Sequence, residues 1–301
     1  MGLPLENLVI PSSGNRDETV TTARLAYQAG ADVLVVVGGD GTLADAALGI
    51  LSAQQLLTAG GLQSQIQLLG VGIGTTNVGA LIAFKGEEFL SAAPAQLNQW
   101  LHSLQPFNPQ ALVLRTACKI LGVGFNDCTF GFTIPATVDG QRLDVDAAAR
   151  MTGRYENGTV RPVGGPATEV WVRRDQHPLL VARGREVGQV VIGIVDDRYI
   201  GKAVAGGVCL TALVGAPAAL VVADKPLTLI NLGAGEIEAM EPVTTNCFSL
   251  FIGDGAAVKG LLPDTVVCLD GNPLCKVSTE QEVTVEVETG VLTCLRPVNR
   301  R

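Results

Sequence analysis

Residues Asp32–Thr42 read DVLVVVGGDGT, and this stretch decides the fold. Asp32–Val37 is a continuous β-branched run, as expected of a parallel strand buried on both faces. It stops at Gly38-Gly39-Asp40-Gly41-Thr42, and Leu43–Leu57 continues as a helical stretch. Glycines let the backbone turn and approach a ligand closely, and the helix start directs N–H groups and positive dipole density at any anion. In open α/β sheets, ligands bind at this carboxyl end of the strands. An aspartate inside an anion-receptive loop would repel phosphate unless it had a task. Asp40 can bind Mg²⁺, or accept the proton of a hydroxyl that attacks phosphorus. A tight turn with Asp40 as helix N-cap is the alternative without chemistry.

Outward from this stretch, Asn7–Ser12 (NLVIPS) predicts a short strand and Asp17–Gln28 a helix with acids at its start and Gly30 at its stop. Gln67–Val71 is a third apolar strand, and Gly72–Asn77 (GIGTTN) is a second glycine-rich turn. Glu88–Leu104 supplies another helix. Strands and helices alternate, which predicts a Rossmann-like α/β domain with a parallel sheet. Two parallel strands ending in such turns would make one cradle. Gly38, Gly39, Gly41 and Thr42 would line one wall, and Gly74, Thr75, Thr76 and Asn77 the other. No G-x-x-x-x-G-K-[ST] P-loop occurs. Gly39–Ala44 satisfies G-x-G-x-x-A, but no Asp or Glu follows between Asp45 and Glu87, so the ribose-binding acid of the dinucleotide fingerprint is missing.

Pro106-Phe-Asn-Pro109 breaks the alternation and sets the expected boundary, with a nucleotide-binding α/β domain at 1–107 and a β-rich domain at 108–301. The second part reads as short β-type runs, among them Ala111–Thr116, Val170–Arg173, Gln189–Val195, Ala219–Val222, Leu227–Leu232, Cys247–Ile252, Val266–Leu269, Glu282–Glu288 and Val291–Arg296. Asp270-Gly271 and Thr289-Gly290 read as hairpin turns, and Asp196-Asp197 as a solvated hairpin tip, with metal ligation as the alternative.

Composition removes several functions. The 301 residues carry 21 Lys plus Arg against 29 Asp plus Glu, a net charge of −8, which argues against a nucleic-acid coat. Aromatics are 4%, too few for base-stacking platforms, and two histidines exclude a three-histidine metal site. Seven cysteines with no CxxC spacing, and no secretory signal, read as reduced thiols in a cytoplasmic protein. Ala203–Ala223 is uncharged for 21 residues but broken by glycines and Pro217, and reads as buried core rather than as a membrane span. Residues 1–107 hold three cations against eight acids, so phosphate binding there would rely on backbone N–H groups and a metal. The eight arginines of residues 142–185 read as solvated strands and loops, with an anionic-ligand patch as the alternative.

Val35–Leu43 (VVVGGDGTL) followed by Leu69–Asn77 (LGVGIGTTN) resembles the ATP-NAD kinase superfamily, which shares its fold with the diacylglycerol and sphingosine kinases. The most similar branch is AcoX, through Pro11-Ser-Ser-Gly14 before the GGDGT strand and Gly74-Thr-Thr-Asn77 after it. Leu121–Asp127 is similar in position to the Asn-Glu/Asp pair that contacts the dinucleotide in NAD kinases, and Val267–Gly271 is similar to the family's late strand–Asp-Gly turn. The resemblance implies an NAD kinase-like fold, α/β plus all-β, in which a Rossmann-like domain precedes a β-sandwich-type domain. It implies an enzyme that uses ATP and Mg²⁺ to phosphorylate a hydroxyl of NAD or another small molecule. Asp40 would be the catalytic residue and metal ligand, the two glycine turns would hold phosphates, and Asn126 and Asp127 would contact the acceptor. Superfamily members are often homo-oligomers. The Gly-Ser-Thr-Ala-Tyr-type segment of NAD kinases has no match, its nearest counterpart being Gly206–Leu213 (GGVCLTAL), which leaves the acceptor open. A non-catalytic nucleotide-binding sensor of the same fold is the rival reading. A lipid kinase is a third, and would need an apolar acceptor cavity in the β domain.

Overall fold

A computed structural model of the chain describes residues 16–57, 66–74, 79–117, 119–138, 141–174, 177–195, 211, 213–227 and 242–298. The chain divides into two units. One comprises Met1–Asn77, Leu81–Pro109 and Val291–Arg300, the other Val78–Ala80, Gln110–Gly290 and Arg301.

The first unit contains α1 (Arg16–Gln28), β1 (Val33–Gly38), α2 (Asp40–Leu57), β2 (Gln67–Gly72), β3 (Ile82–Lys85), α3 (Gly86–Ser91), α4 (Pro94–His102) and β4 (Leu104–Phe107). β1 and β2 run parallel and in register, from Val33 opposite Gln67 to Gly38 opposite Gly72. Both glycine turns therefore leave the sheet at the same level. The far edge of β2 is shared. Its second half pairs with β3, while Gln67 and Leu68 pair in parallel with Thr293 and Cys294 of a strand from the far end of the chain. That strand also pairs antiparallel with β4. It belongs to the first unit, whose segment ending at Pro109 leads into the second unit's segment Gln110–Gly290.

Helices cover both faces of this sheet. Leu43 of α2 lies over Gly70. Opposite, Leu69, Val71 and Phe84 form a core with Phe89 and Trp100 of α3 and α4. The expected single helix Glu88–Leu104 is two helices, because Pro94 opens α4 and cannot continue α3. Burial of β1 on both faces is also corrected. Val35 and Val37 share the face of their partners Leu69 and Val71, yet they are 46% and 56% exposed. α3 and α4 follow β3 and cover the β2–β3 side of that face, leaving β1 at its margin. The strand expected at 7–12 lies outside the described residues.

α1 docks on α2 where Gly49 permits close approach, since a Cβ there would fall 2.3 Å from the Val20 carbonyl oxygen. Beside this contact, Arg16 Nε donates to Asp45 Oδ1 at 2.7 Å. Burial raises the Asp45 carboxyl above its usual range, against the opposing pull of Arg16. A raised native pKa means that the native state holds this proton more tightly than the unfolded chain, so the group favours folding at low pH. That contribution is lost as pH climbs through the raised value. Asp45→Asn, which stays neutral throughout, is therefore expected to gain thermal stability relative to the native protein as pH rises from about 4 towards 7. Melting curves of both proteins across that range check it, and parallel curves would contradict it.

The second unit holds β5 (Gln110–Arg115), β6 (Ile120–Gly124), β7 (Asp127–Gly131), β8 (Thr133–Val138), β9 (Gln141–Asp146), α5 (Ala147–Met151), β10 (Gly164–Arg173), β11 (Leu179–Arg183), β12 (Gln189–Ile194), β13 (Ala218–Ala223), β14 (Thr245–Leu250), β15 (Gly255–Leu261), β16 (Val266–Leu269), β17 (Asn272–Lys276) and β18 (Val283–Thr289). They build two six-stranded sheets, ordered β11-β10-β15-β18-β5-β6 and β14-β13-β12-β7-β16-β17, plus the β8–β9 hairpin. Leu112, Leu114, Val170, Val258 and Val285 of one sheet share a single core with Phe130, Val190, Ile192, Leu220 and Val267 of the other. This is a β-sandwich, and the chain as a whole is α/β plus all-β.

β19 (Thr293–Pro297) follows β18 but pairs with β2 and β4, so Thr289-Gly290 is a linker and not a hairpin turn. Asp270-Gly271 does form the tight turn between β16 and β17. Ala218–Ala223, the end of the uncharged stretch, is the fully buried β13. Among the described residues no helix is long and apolar enough to cross a membrane. Five of the arginines of 142–185 engage carboxylates or aromatic rings. Arg154 pairs with Glu156, Arg173 with Glu282 and Arg174 with Asp254, while Arg150 and Arg161 lie over the rings of Tyr155 and Phe132.

Candidate functional site

The end of β1 passes into α2 with a single intervening residue. Leu43 N–H donates to the Gly39 carbonyl at 3.1 Å, which makes Gly39 the residue just outside the helix and Asp40, Gly41 and Thr42 its first turn. Backbone N–H groups at these positions have no acceptor within the helix. A carboxylate at the first position also sits favourably in the field of the helix dipole.

The second turn comes up against the first. Ile73 N–H donates to the Gly38 carbonyl at 3.0 Å, and a Cβ on Gly39 would lie 3.3 Å from the Gly74 Cα. Any side chain at 39 would press the two turns apart. Gly38 answers a different need, since its Cβ would fall 2.6 Å from Cβ of Thr42. Glycine there lets Thr42 fold back over the strand end. Gly86 keeps the start of α3 tight on the second turn, because a Cβ there would lie 2.4 Å from Ile73 Cγ2. The structure thus brings together Gly38, Gly39, Asp40, Gly41, Thr42 and Gly74. Thr75, Thr76 and Asn77 lie outside the described residues.

Among the described residues no group of three or more His, Cys, Asp or Glu is placed to hold a metal ion. Mg²⁺ is usually held by one or two carboxylates plus phosphate oxygens and retained waters, and Asp40 is the carboxylate at this turn.

Asn126 and Asp127 belong to the second unit, at the turn from β6 into β7. Asn126 is 9% exposed; its Nδ2 donates to Asp127 Oδ2 at 3.3 Å, and its Oδ1 is buried without a partner. Beneath them lies Asp270, a residue the sequence reading placed in a turn but gave no role. Its carboxylate accepts from the N–H groups of Phe125 and Asn126 at 2.8 Å each and of Asp127 at 3.1 Å. Burial and the neighbouring Asp127 push its pKa up to about 7, against the pull of the three donors. The signal for it was an Asp-Gly pair closing a two-residue turn, with φ of 51° and 78° at its two residues. Cys128, Cys247, Cys268, Cys275 and Cys294 carry no disulfide. Burial raises the thiols of Cys128 and Cys268 well beyond reactive range.

A mostly parallel sheet in which α2 begins on a glycine-rich, acid-bearing turn, together with a β-sandwich, defines an α/β plus all-β protein. Residues 6–105 match the diacylglycerol kinase catalytic domain family. An uncharacterized protein of Archaeoglobus fulgidus is 31% identical over 297 residues, covering 99% of this chain and 84% of its own. The chain belongs to the same family as that archaeal protein, and its residues 6–105 carry the diacylglycerol kinase catalytic domain match. Among solved structures, yeast NADH kinase complexed with NADH aligns with a TM-score of 0.41 and 13% identity, over 89% of this chain. The chain spans 62% of the length of that protein.

Proposed function

We propose that this protein is an ATP-dependent phosphotransferase that moves a phosphoryl group to a hydroxyl of a small molecule. The observation that supports it is the meeting of the two glycine turns at Gly39 and Gly74, beside a carboxylate in the first turn of α2. In-line phosphoryl transfer asks mainly for positioning and charge neutralisation. The first-turn N–H groups of α2 and the Thr42 hydroxyl would bind phosphate oxygens. Asp40 would orient the acceptor hydroxyl and take up its proton as the new O–P bond forms and ADP leaves. Mg²⁺, held through Asp40, would offset charge on the phosphate oxygens.

NAD is the acceptor the superfamily resemblance puts first, with Asn126 and Asp127 as its contacts and AcoX as the branch. The match of residues 6–105 to the diacylglycerol kinase catalytic domain favours a lipid hydroxyl as the second reading. Incubation with ATP and Mg²⁺, and either NAD or diacylglycerol in mixed micelles, separates them. NADP or phosphatidic acid as product supports the corresponding acceptor. ATP binding with transfer to neither, nor to sugar alcohols, would overturn the enzyme reading in favour of a nucleotide sensor.

A further inference from the structure

One corner of the β-sandwich holds three pairs of large apolar side chains in solvent. Leu213 and Val214, just before β13, are 83% and 60% exposed. Leu179, Phe251 and Ile252 are about half exposed, and Leu180 somewhat less. Hydrogen bonds bring the three pairs to the same end of the two sheets. Leu179 opens β11 opposite Val172 of β10. Arg174, just past the end of β10, donates to the Ser249 carbonyl and pairs with Asp254 at 3.3 Å, so it clasps the segment that contains Phe251 and Ile252. The Ser249 hydroxyl donates to Thr211 Oγ1 at 3.3 Å, and the Thr211 carbonyl accepts from Val214 N–H at 3.1 Å. Gly215 and Gly253, at left-handed φ of 71° and 89°, turn the chain back after two of the exposed pairs.

Apolar residues scattered singly over a surface need no explanation, but a gathered patch does. These six together expose on the order of 500 Å², at the upper end of what a monomer shows. Their surroundings are free of net charge. Residues 177–182 (HPLLVA), 211–223 (TALVGAPAALVVA) and 242–253 (PVTTNCFSLFIG) contain no Lys, Arg, Asp or Glu, and Arg174 and Asp254 neutralise each other. β11 and β14 are each the last strand of their sheet among the described residues, an edge that soluble proteins ordinarily guard with charge.

We propose that this corner is the interface through which two copies of the chain form a homodimer. The chain carries a net charge of −8, so two copies repel wherever their acids face each other, and a charge-free corner is where they can meet. A stable dimer takes about 800 Å² from each partner, polar rim included, and the six side chains suffice for its apolar core. Two-fold symmetry sets the same patch against itself, which buries apolar surface on both sides at once. An anionic lipid surface fits less well, because the cation at the patch, Arg174, is already paired with Asp254. This surface is independent of the phosphotransferase reading.

Analytical ultracentrifugation of the full chain at micromolar concentration tests it, and the native protein should sediment as a dimer. Leu213→Lys combined with Ile252→Lys sets like charges face to face across the two-fold, and the dimer Kd should rise on the order of a hundredfold or more. Circular dichroism and the melting midpoint check that the variant is folded. Leu25→Lys, at a 55% exposed position on α1, adds charge elsewhere and should leave the dimer intact. If the lysine variant fails to fold, Leu179→Ser combined with Val214→Ser gives the same reading through lost contact alone. A native protein that stays monomeric up to about 100 μM overturns the proposal, and so does a dimer that the corner substitutions leave unchanged. Binding of a monomeric native protein to phosphatidylcholine–phosphatidylserine vesicles, lost in the serine variant, overturns it in favour of a lipid surface.

Discussion

On the phosphotransferase reading, Asp40→Asn turns over on the order of a hundredfold to ten-thousandfold more slowly than the native protein, yet still binds ATP. Asparagine has the shape of aspartate and serves a helix start equally well. The structural penalty is confined to a weaker interaction with the helix dipole, about 0.3–1 kcal/mol. Loss of a proton acceptor or metal ligand is far larger, so the two effects cannot be confused. The cradle is made from backbone N–H groups and the Thr42 hydroxyl, neither of which the substitution touches. Equilibrium titration with ATP and steady-state turnover on the active acceptor check both halves. Full turnover in the variant would take Asp40 out of the chemistry and leave it as a helix-start residue.

Gly70→Val is expected to cost most of the stability of the first unit. Gly70 sits in the middle of β2, and a Cβ there would lie 2.2 Å from the Leu81 carbonyl oxygen and 2.3 Å from Leu43 Cδ2. The carbonyl belongs to backbone and cannot rotate away, while Leu43 is fully buried and packed. Overpacking a core typically costs about 1–3 kcal/mol. Here a backbone clash is added to it, so a loss on the order of 4 kcal/mol follows. Native proteins hold only about 5–15 kcal/mol in all. At roughly 2–4 °C per kcal/mol for chains of moderate size, the midpoint of the unit should fall by about 10 °C. Differential scanning calorimetry measures this, and a midpoint within about 2 °C of the native value would show that the strand can shift to accommodate the side chain.

Local signals in the sequence were enough for the strand, glycine turn and helix at Val33–Leu57. A β-branched run, glycines at the break and a helical period afterwards all lie within Val33–Leu57, so no distant contact had to be known. Val266–Leu269 and the Asp270-Gly271 turn were equally legible, for the same reason. β15 was missed because Gly255–Leu261 (GAAVKGL) is rich in alanine and glycine, and its strand state comes from pairing with β10 and β18 rather than from propensity. The exposed face of β1 was misread because hydrophobicity says that a face can be buried, not that something reaches it. Asp270 could not be recognised as the support of Asn126, since the two are far apart in sequence and meet only through strand pairing between β7 and β16.

The pairing of β19 with β2 and β4 has a consequence for biogenesis. Every other strand of that sheet is synthesised before residue 108, but its last partner comes off the ribosome only after the whole of Gln110–Gly290. At about 5–20 residues per second, this interval is roughly ten to forty seconds. A nascent chain in that window can complete its sandwich while half an edge of β2 stays open to solvent and to other chains. Translation pauses or nonsense mutations late in the message would therefore injure the α/β unit, although the missing codons lie nowhere near the ones that encode its glycine turns.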